Sequence, residues 1–209
     1  MMKLYYASGA CSFALHAFLN ECGADYETQK VEISAGENKK PEFLKLNSRG
    51  QVPVLTDGDT VLREGAAILM YVADKYKSPM IPQSGAERLA AIEWMMFCNS
   101  TLHPAYSACF FLARQTVDAA AKETLMAAVS ARVQMLWDDV EAQLNKTNAY
   151  IAGANITVAD LMLCTMANWL QATTPKFGPK TIALIQKVTA RPSYQLALES
   201  EGVAYKAAA

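Results

Sequence analysis

Apolar and polar positions change rhythm near residue 77. Before it, two-residue alternation and helical periodicity take turns; after it only the helical period remains. Residues 3–6 (KLYY) read as a short strand. Residues 11–22 put Phe13, Ala14, Ala17, Phe18 and Leu19 on one side of a helix, with Gly23 placed to end it. Residues 26–33 alternate, and Val31 and Ile33 share a face. Residues 41–46 give one or two helical turns, and 50–55 lead into another strand. Asp57-Gly58-Asp59 turns that strand back into 60–63, which predicts a hairpin. Residues 64–76 carry Ala67, Ile68, Tyr71 and Val72 at helical spacing. The order β-α-β-α-β-β-α predicts a mixed four-stranded sheet with helices on its faces.

Residues 77–85 (KSPMIPQSG) hold two prolines, two serines and a glycine, the composition of a linker. Beyond it the pattern predicts long helices over 88–113 and 119–144, another beginning at Thr157, and shorter ones over 181–190 and 194–200. The chain therefore divides into an α/β domain, 1–77, and an all-α domain, 86–209. No internal repeat or low-complexity segment is visible.

Composition narrows the function classes. The 209 residues are 52% hydrophobic, enough for a sizeable core. A formal net charge of −1 offers no basic excess for nucleic acid or an anionic membrane. No apolar run reaches the ~18 residues of a membrane span. The apolar stretch near the N-terminus is short and broken at Ser8 and Gly9, unlike a secretory leader. These features predict a soluble, cytoplasmic protein. The five cysteines (Cys11, Cys22, Cys98, Cys109, Cys164) are odd in number and widely spaced. They form no C-x-x-C pair and no zinc-type cluster with the two histidines, His16 and His103, so free thiols and no metal are expected.

Four places carry candidate chemistry. In YYASGACSFALH, Cys11 stands at a predicted helix start, where unpaired N–H groups favour a thiolate. That position predicts a thiol pKa below that of free cysteine, with Ser12 close enough to donate to the sulfur. The competing reading is a small, inert residue in a helix-entry turn. Val52-Pro53 is the second place: a cis bond there would turn the Val52 amide and carbonyl outward, toward an extended peptide. Glu64-Gly65-Ala66, at a strand-to-helix junction, is the third; it suits either a bound carboxylate or a plain acidic helix start. His103 is the fourth. Pro104 should kink the helix there, and the residues alone favour a structural histidine. Thr157-Val158-Ala159-Asp160 is a capping-box-like helix start, with Trp169 expected on the helix that follows.

The stretches YYASGACSFALH, NSRGQVPVL, REGAAILMYVADKY, LHPAYSACF, ITVADLMLCTMANWL and RPSYQLALESEG, in that order, resemble bacterial beta-class cytosolic glutathione S-transferases over essentially the whole chain. The resemblance implies a thioredoxin-like N-terminal domain, an all-helical C-terminal domain, a homodimer, and glutathione as co-substrate. It implies that Cys11 meets the glutathione sulfur and forms a mixed disulfide with it, with the Tyr6 and Ser12 hydroxyls nearby. It places Gln51, Val52 and a cis Pro53 along the cysteinyl part of glutathione, and Glu64 and Gly65 at the γ-glutamyl carboxylate. His103 then reaches toward Cys11 from the helical domain, and Tyr106, Phe110 and Trp169 line the acceptor pocket. The implied activity is conjugation of glutathione to small hydrophobic electrophiles, with thiol-disulfide exchange through Cys11. The alternatives are a non-catalytic binding module and a glutathione-dependent isomerase or dehalogenase on the same fold. Three departures stand out: Pro104 where the class often has lysine, Met96 where an asparagine from a neighbouring subunit approaches glutathione, and a short, weakly basic SAGENKK. Either Lys39 or Lys40, or neither, meets the glycyl carboxylate.

Overall fold

The structure, a computed structural model, describes residues 1–207. The first half runs β1 (Met2–Tyr6), α1 (Phe13–Glu21), β2 (Tyr26–Lys30), a 3-10 turn (Glu37–Lys39), α2 (Pro41–Leu46), β3 (Val54–Asp57), β4 (Thr60–Leu62) and α3 (Gly65–Tyr76). The four strands form one sheet in the order β2-β1-β3-β4. β1 pairs parallel with β2 and antiparallel with β3, and β3 pairs antiparallel with β4 across the Gly58 turn. This is a thioredoxin-like mixed sheet. β2 ends sooner than its alternation predicts: Val31 is buried beside the sheet, while Ile33 lies exposed in the turn beyond it.

After Tyr76 the described chain is helical: α4 (Gly85–Phe97), a π-helical stretch (Cys98–Leu102), α5 (His103–Ala113), α6 (Ala119–Thr147), α7 (Val158–Ala167), α8 (Pro179–Thr189) and α9 (Pro192–Glu201). Pro104 does not break the helix as expected. It sits in the first turn of α5, just after the wider π stretch, where a missing N–H costs least. α7 begins with the predicted capping box: Asp160 accepts from the Thr157 amide at 2.7 Å and the Thr157 hydroxyl at 3.0 Å. The buried Asp160 also accepts the Ile151 amide at 2.9 Å. Trp169 is not on that helix, which stops at Ala167; it occupies the turn that follows.

α1 joins the two halves. Its residues 13–19 are all buried, the pattern of a helix enclosed on every side. It packs on α3 within the first half and on α7 and α9 from the second. The core therefore runs unbroken through both, from Leu4 and Phe18 to Trp137 and Tyr194. α9 shows how this closure is encoded. Tyr194, Ala197, Leu198 and Glu201 recur at helical spacing and are all buried, so a carboxylate ends an apolar stripe.

Candidate active site

The site is built around the loop between β1 and α1. Gly9 takes a positive φ of 68°, a conformation that costs glycine nothing. The second half grips both polar groups of this residue. The Trp169 Nε1–H donates to the Gly9 carbonyl at 2.8 Å, and the Gly9 amide donates to Glu201 Oε2 at 2.9 Å. The other Glu201 oxygen lies 3.0 Å from His16 Nδ1 inside α1. The loop thus has its height fixed before Cys11 follows it.

Cys11 is half-buried, and its thiol donates to the Val52 carbonyl oxygen at 3.6 Å. Burial pushes the thiol pKa up to about 11, against opposing hydrogen bonds from the Cys11 and Ser12 amides. The sequence predicts the reverse shift. The helix-start N–H groups do act as expected, but desolvation outweighs them. Ser12 does not serve the sulfur. It is fully buried, donates to the Ala7 carbonyl at 3.3 Å and accepts the Ala7 amide at 3.2 Å, closing the loop from beneath.

Two cavities meet at Cys11 and His103, each of which lines both. The inner one, of 200 Å³, is walled by Gln51, Val52, Pro53, Arg63, Glu64 and Gly65 on the sheet side and by Asn99, Met162 and Thr165 on the helical side. The Val52–Pro53 bond is cis. Gly65 opens α3 here, and the side chain of its N-cap residue Glu64 makes no capping hydrogen bond, so the first amides of α3 stay available. Glu64 instead pairs with Arg49 at 2.7 Å in an exposed position. The outer cavity, of 860 Å³, is lined by the Ala7–Cys11 loop, the end of β2, and Ser107, Phe110, Phe111, Arg114 and Trp169. His103 stands 5.2 Å from Trp169, ring centroid to centroid, in an edge-on contact. Burial lowers its pKa, so the imidazole is neutral at pH 7.

The structure brings together Cys11, His103, Gln51, Val52, Pro53, Glu64 and Gly65 at one cavity, and Cys11, His103, Phe110 and Trp169 at the other. It does not bring Tyr6, Ser12 or Tyr106 to either. Tyr6 shares the inward face of β1 with Met2 and Leu4 and packs on His16, at 5.5 Å between ring centroids. Tyr106 is fully buried behind Trp169, and its hydroxyl accepts the Trp137 Nε1–H at 2.9 Å. Neither Lys39 nor Lys40 lines the two cavities, and Lys40 pairs with Glu37 at 3.2 Å. Sequence reasoning missed Arg63, Asn99, Thr165, Arg114 and Glu201. Helical spacing is the signal for two of them: Asn99 precedes His103 by four residues, and Arg114 follows it by eleven.

Residues 1–74 match the glutathione S-transferase N-terminal domain family, and residues 89–192 match its C-terminal domain family. The chain belongs to the glutathione S-transferase family. Glutathione S-transferase GstA of Escherichia coli O157:H7 is 31% identical over 208 residues, covering 97% of this chain and 100% of that relative. The glutathione S-transferase of Xylella fastidiosa superposes with a TM-score of 0.87 at 30% identity, over 98% of this chain and 100% of that one. A glutathione transferase homologue from Sulfitobacter, solved with bound glutathione, gives 0.84 at 28% identity, over 98% of this chain and 99% of that one. The glutathione S-transferase fold thus accounts for both halves of the molecule. Among the described residues no helix is long and apolar enough to cross a membrane.

Proposed function

We propose that the protein conjugates glutathione to small hydrophobic electrophiles, as a cytoplasmic, homodimeric transferase of the bacterial beta class acting in detoxification. Residues 1–77 form its glutathione-binding domain and 86–209 carry its acceptor pocket. One observation carries this reading. Cys11, bonded to the Val52 carbonyl, stands at the seam between a cavity suited to an extended peptide and a cavity lined by aromatic rings.

The inner cavity fits glutathione on its own chemistry. Val52 offers backbone groups to the cysteinyl unit, and Gln51 and Pro53 flank it. The opening amides of α3 at Gly65 suit the γ-glutamyl carboxylate, and Glu64 suits its ammonium group. Bound there, glutathione supplies a sulfur nucleophile. Cys11, held as a neutral thiol, can turn its one S–H from the Val52 carbonyl to a sulfur beside it, and a hydrogen bond there favours the anionic form of that sulfur. His103 Nε2 or Nδ1, neutral at pH 7, takes up a proton or receives a hydrogen bond at the same seam. Phe110 and Trp169 hold an apolar acceptor against that point. The thioredoxin-like placement of Cys11 also supports thiol-disulfide exchange. Burial raises its pKa, which disfavours the Cys11 thiolate at pH 7 and slows exchange.

Turnover of a nitro-activated aryl chloride with glutathione tests the reading. Glutathione-dependent chloride release supports it. Retention on immobilised glutathione without turnover of any electrophile points to a binding module instead.

A further inference from the structure

We propose that the outer cavity selects aromatic electrophiles that carry a carboxylate, and that Arg114 recognises that carboxylate. The inference rests on the transferase reading and assigns its acceptor class.

The charges around the cavity are the starting point. Its charged lining residues are Lys30, Glu32 and Arg114. Lys30 Nζ lies 3.0 Å from Glu32 Oε2, and the Ser34 hydroxyl donates to Glu32 Oε1 at 2.7 Å. That pair is neutral overall and its carboxylate is occupied on both oxygens. The His103 ring is neutral, since burial lowers its pKa. The Arg114 side chain makes no hydrogen bond or ion pair among the described residues. One guanidinium, itself exposed to solvent, is left uncompensated on the wall of a cavity whose other charged groups cancel.

Its placement gives that charge a use. His103, Ser107, Phe110 and Arg114 follow one face of α5 and its C-terminal cap, at the spacing of successive turns. His103 stands at the Cys11 seam, and Arg114 stands at the far end of the stripe. Phe110 and Trp169 lie between the two ends, 5.8 Å apart between ring centroids and edge-on to each other. An aromatic ring bound there has its reactive carbon toward Cys11 and its far substituent toward Arg114. A guanidinium takes a carboxylate in a two-pronged hydrogen bond, so a carboxylate opposite the reactive carbon fits better than a neutral group.

The test uses two aryl chlorides that differ only in charge: a chloronitrobenzoate with chlorine para to the carboxylate, and its neutral amide. In both, the glutathione sulfur bonds to the ring carbon bearing chlorine. Chloride leaves with the C–Cl electron pair, and the thiol proton passes to water. The readout is the ratio of kcat/KM for the acid to kcat/KM for the amide, compared between proteins so that intrinsic reactivity cancels. Arg114→Gln should lower the ratio about fivefold to tenfold, and Arg114→Lys should restore part of it. Calorimetric binding of the two S-aryl glutathione products should show the same loss. Turnover of both probes with an unchanged ratio in Arg114→Gln would overturn the inference and leave the transferase reading standing. Absence of both turnover and product binding would overturn the transferase reading and this inference with it.

Discussion

Glu201 and Gly9 lie 192 positions apart and meet through a hydrogen bond of 2.9 Å from the Gly9 amide to the buried carboxylate. The same carboxylate reaches His16 Nδ1, so the last helix sets the loop that carries Cys11. Replacing Glu201 by Ala leaves the half-buried Gly9 amide and the buried His16 imidazole without this partner. The expected cost is about 2–4 kcal/mol in urea denaturation, with a raised KM for glutathione. Glu201→Gln should cost less, since it keeps an acceptor.

Trp169 holds the carbonyl side of the same residue through its 2.8 Å hydrogen bond. Trp169→Phe keeps the aromatic wall and removes that bond. We expect a loss of about 1 kcal/mol in stability and a fall in kcat/KM for aryl halides larger than the fall in glutathione affinity. Equal losses in both would show that the indole acts on the loop alone.

The raised Cys11 pKa predicts a sign for the pH dependence of exchange. The thiolate is the attacking form, and burial holds its pKa at about 11. Formation of a Cys11 mixed disulfide should therefore accelerate about tenfold per pH unit from pH 7 to 9, with no plateau in that range. A plateau below pH 8 would mean that the thiol is activated rather than suppressed.

Cys11→Ala separates the two chemistries. It removes the only group at the seam able to form a disulfide, yet leaves Val52, Gly65 and His103 in place. Disulfide exchange should vanish, while aryl conjugation should persist within about tenfold of the native rate. Loss of conjugation to the uncatalysed level would make Cys11 indispensable to both.

Much of this arrangement is legible in the sequence. The strand and helix order, the hairpin at Gly58 and the capping box at Thr157 follow from local periodicity and turn chemistry, which need no distant partner. Local rules also held the answer for Tyr6. Met2, Leu4 and Tyr6 alternate along β1, so the hydroxyl of Tyr6 shares the buried face. Other features depend on long-range packing. Ser12 turns inward because Ala7 comes back to meet it, and Tyr106 turns inward because Trp137 supplies its donor. The sign of the Cys11 shift is set by burial in the folded molecule, which no local pattern records. Glu201 shows the middle case: its stripe is readable in α9, but its partners lie at the other end of the chain.

The central claim is that glutathione binds with its sulfur at the seam where Cys11 stands. Cys11 and Cys22 make it directly testable. Both are half-buried, and burial raises the pKa of both. Thiol chemistry alone gives Cys11 no advantage. The purified protein should be treated with oxidised glutathione at pH 8 and its adducts located by peptide mass mapping. A single reducible glutathione adduct on Cys11 is the predicted result, because only recognition of the tripeptide selects that thiol. Adducts shared between Cys11 and Cys22, or none on Cys11, would contradict the account.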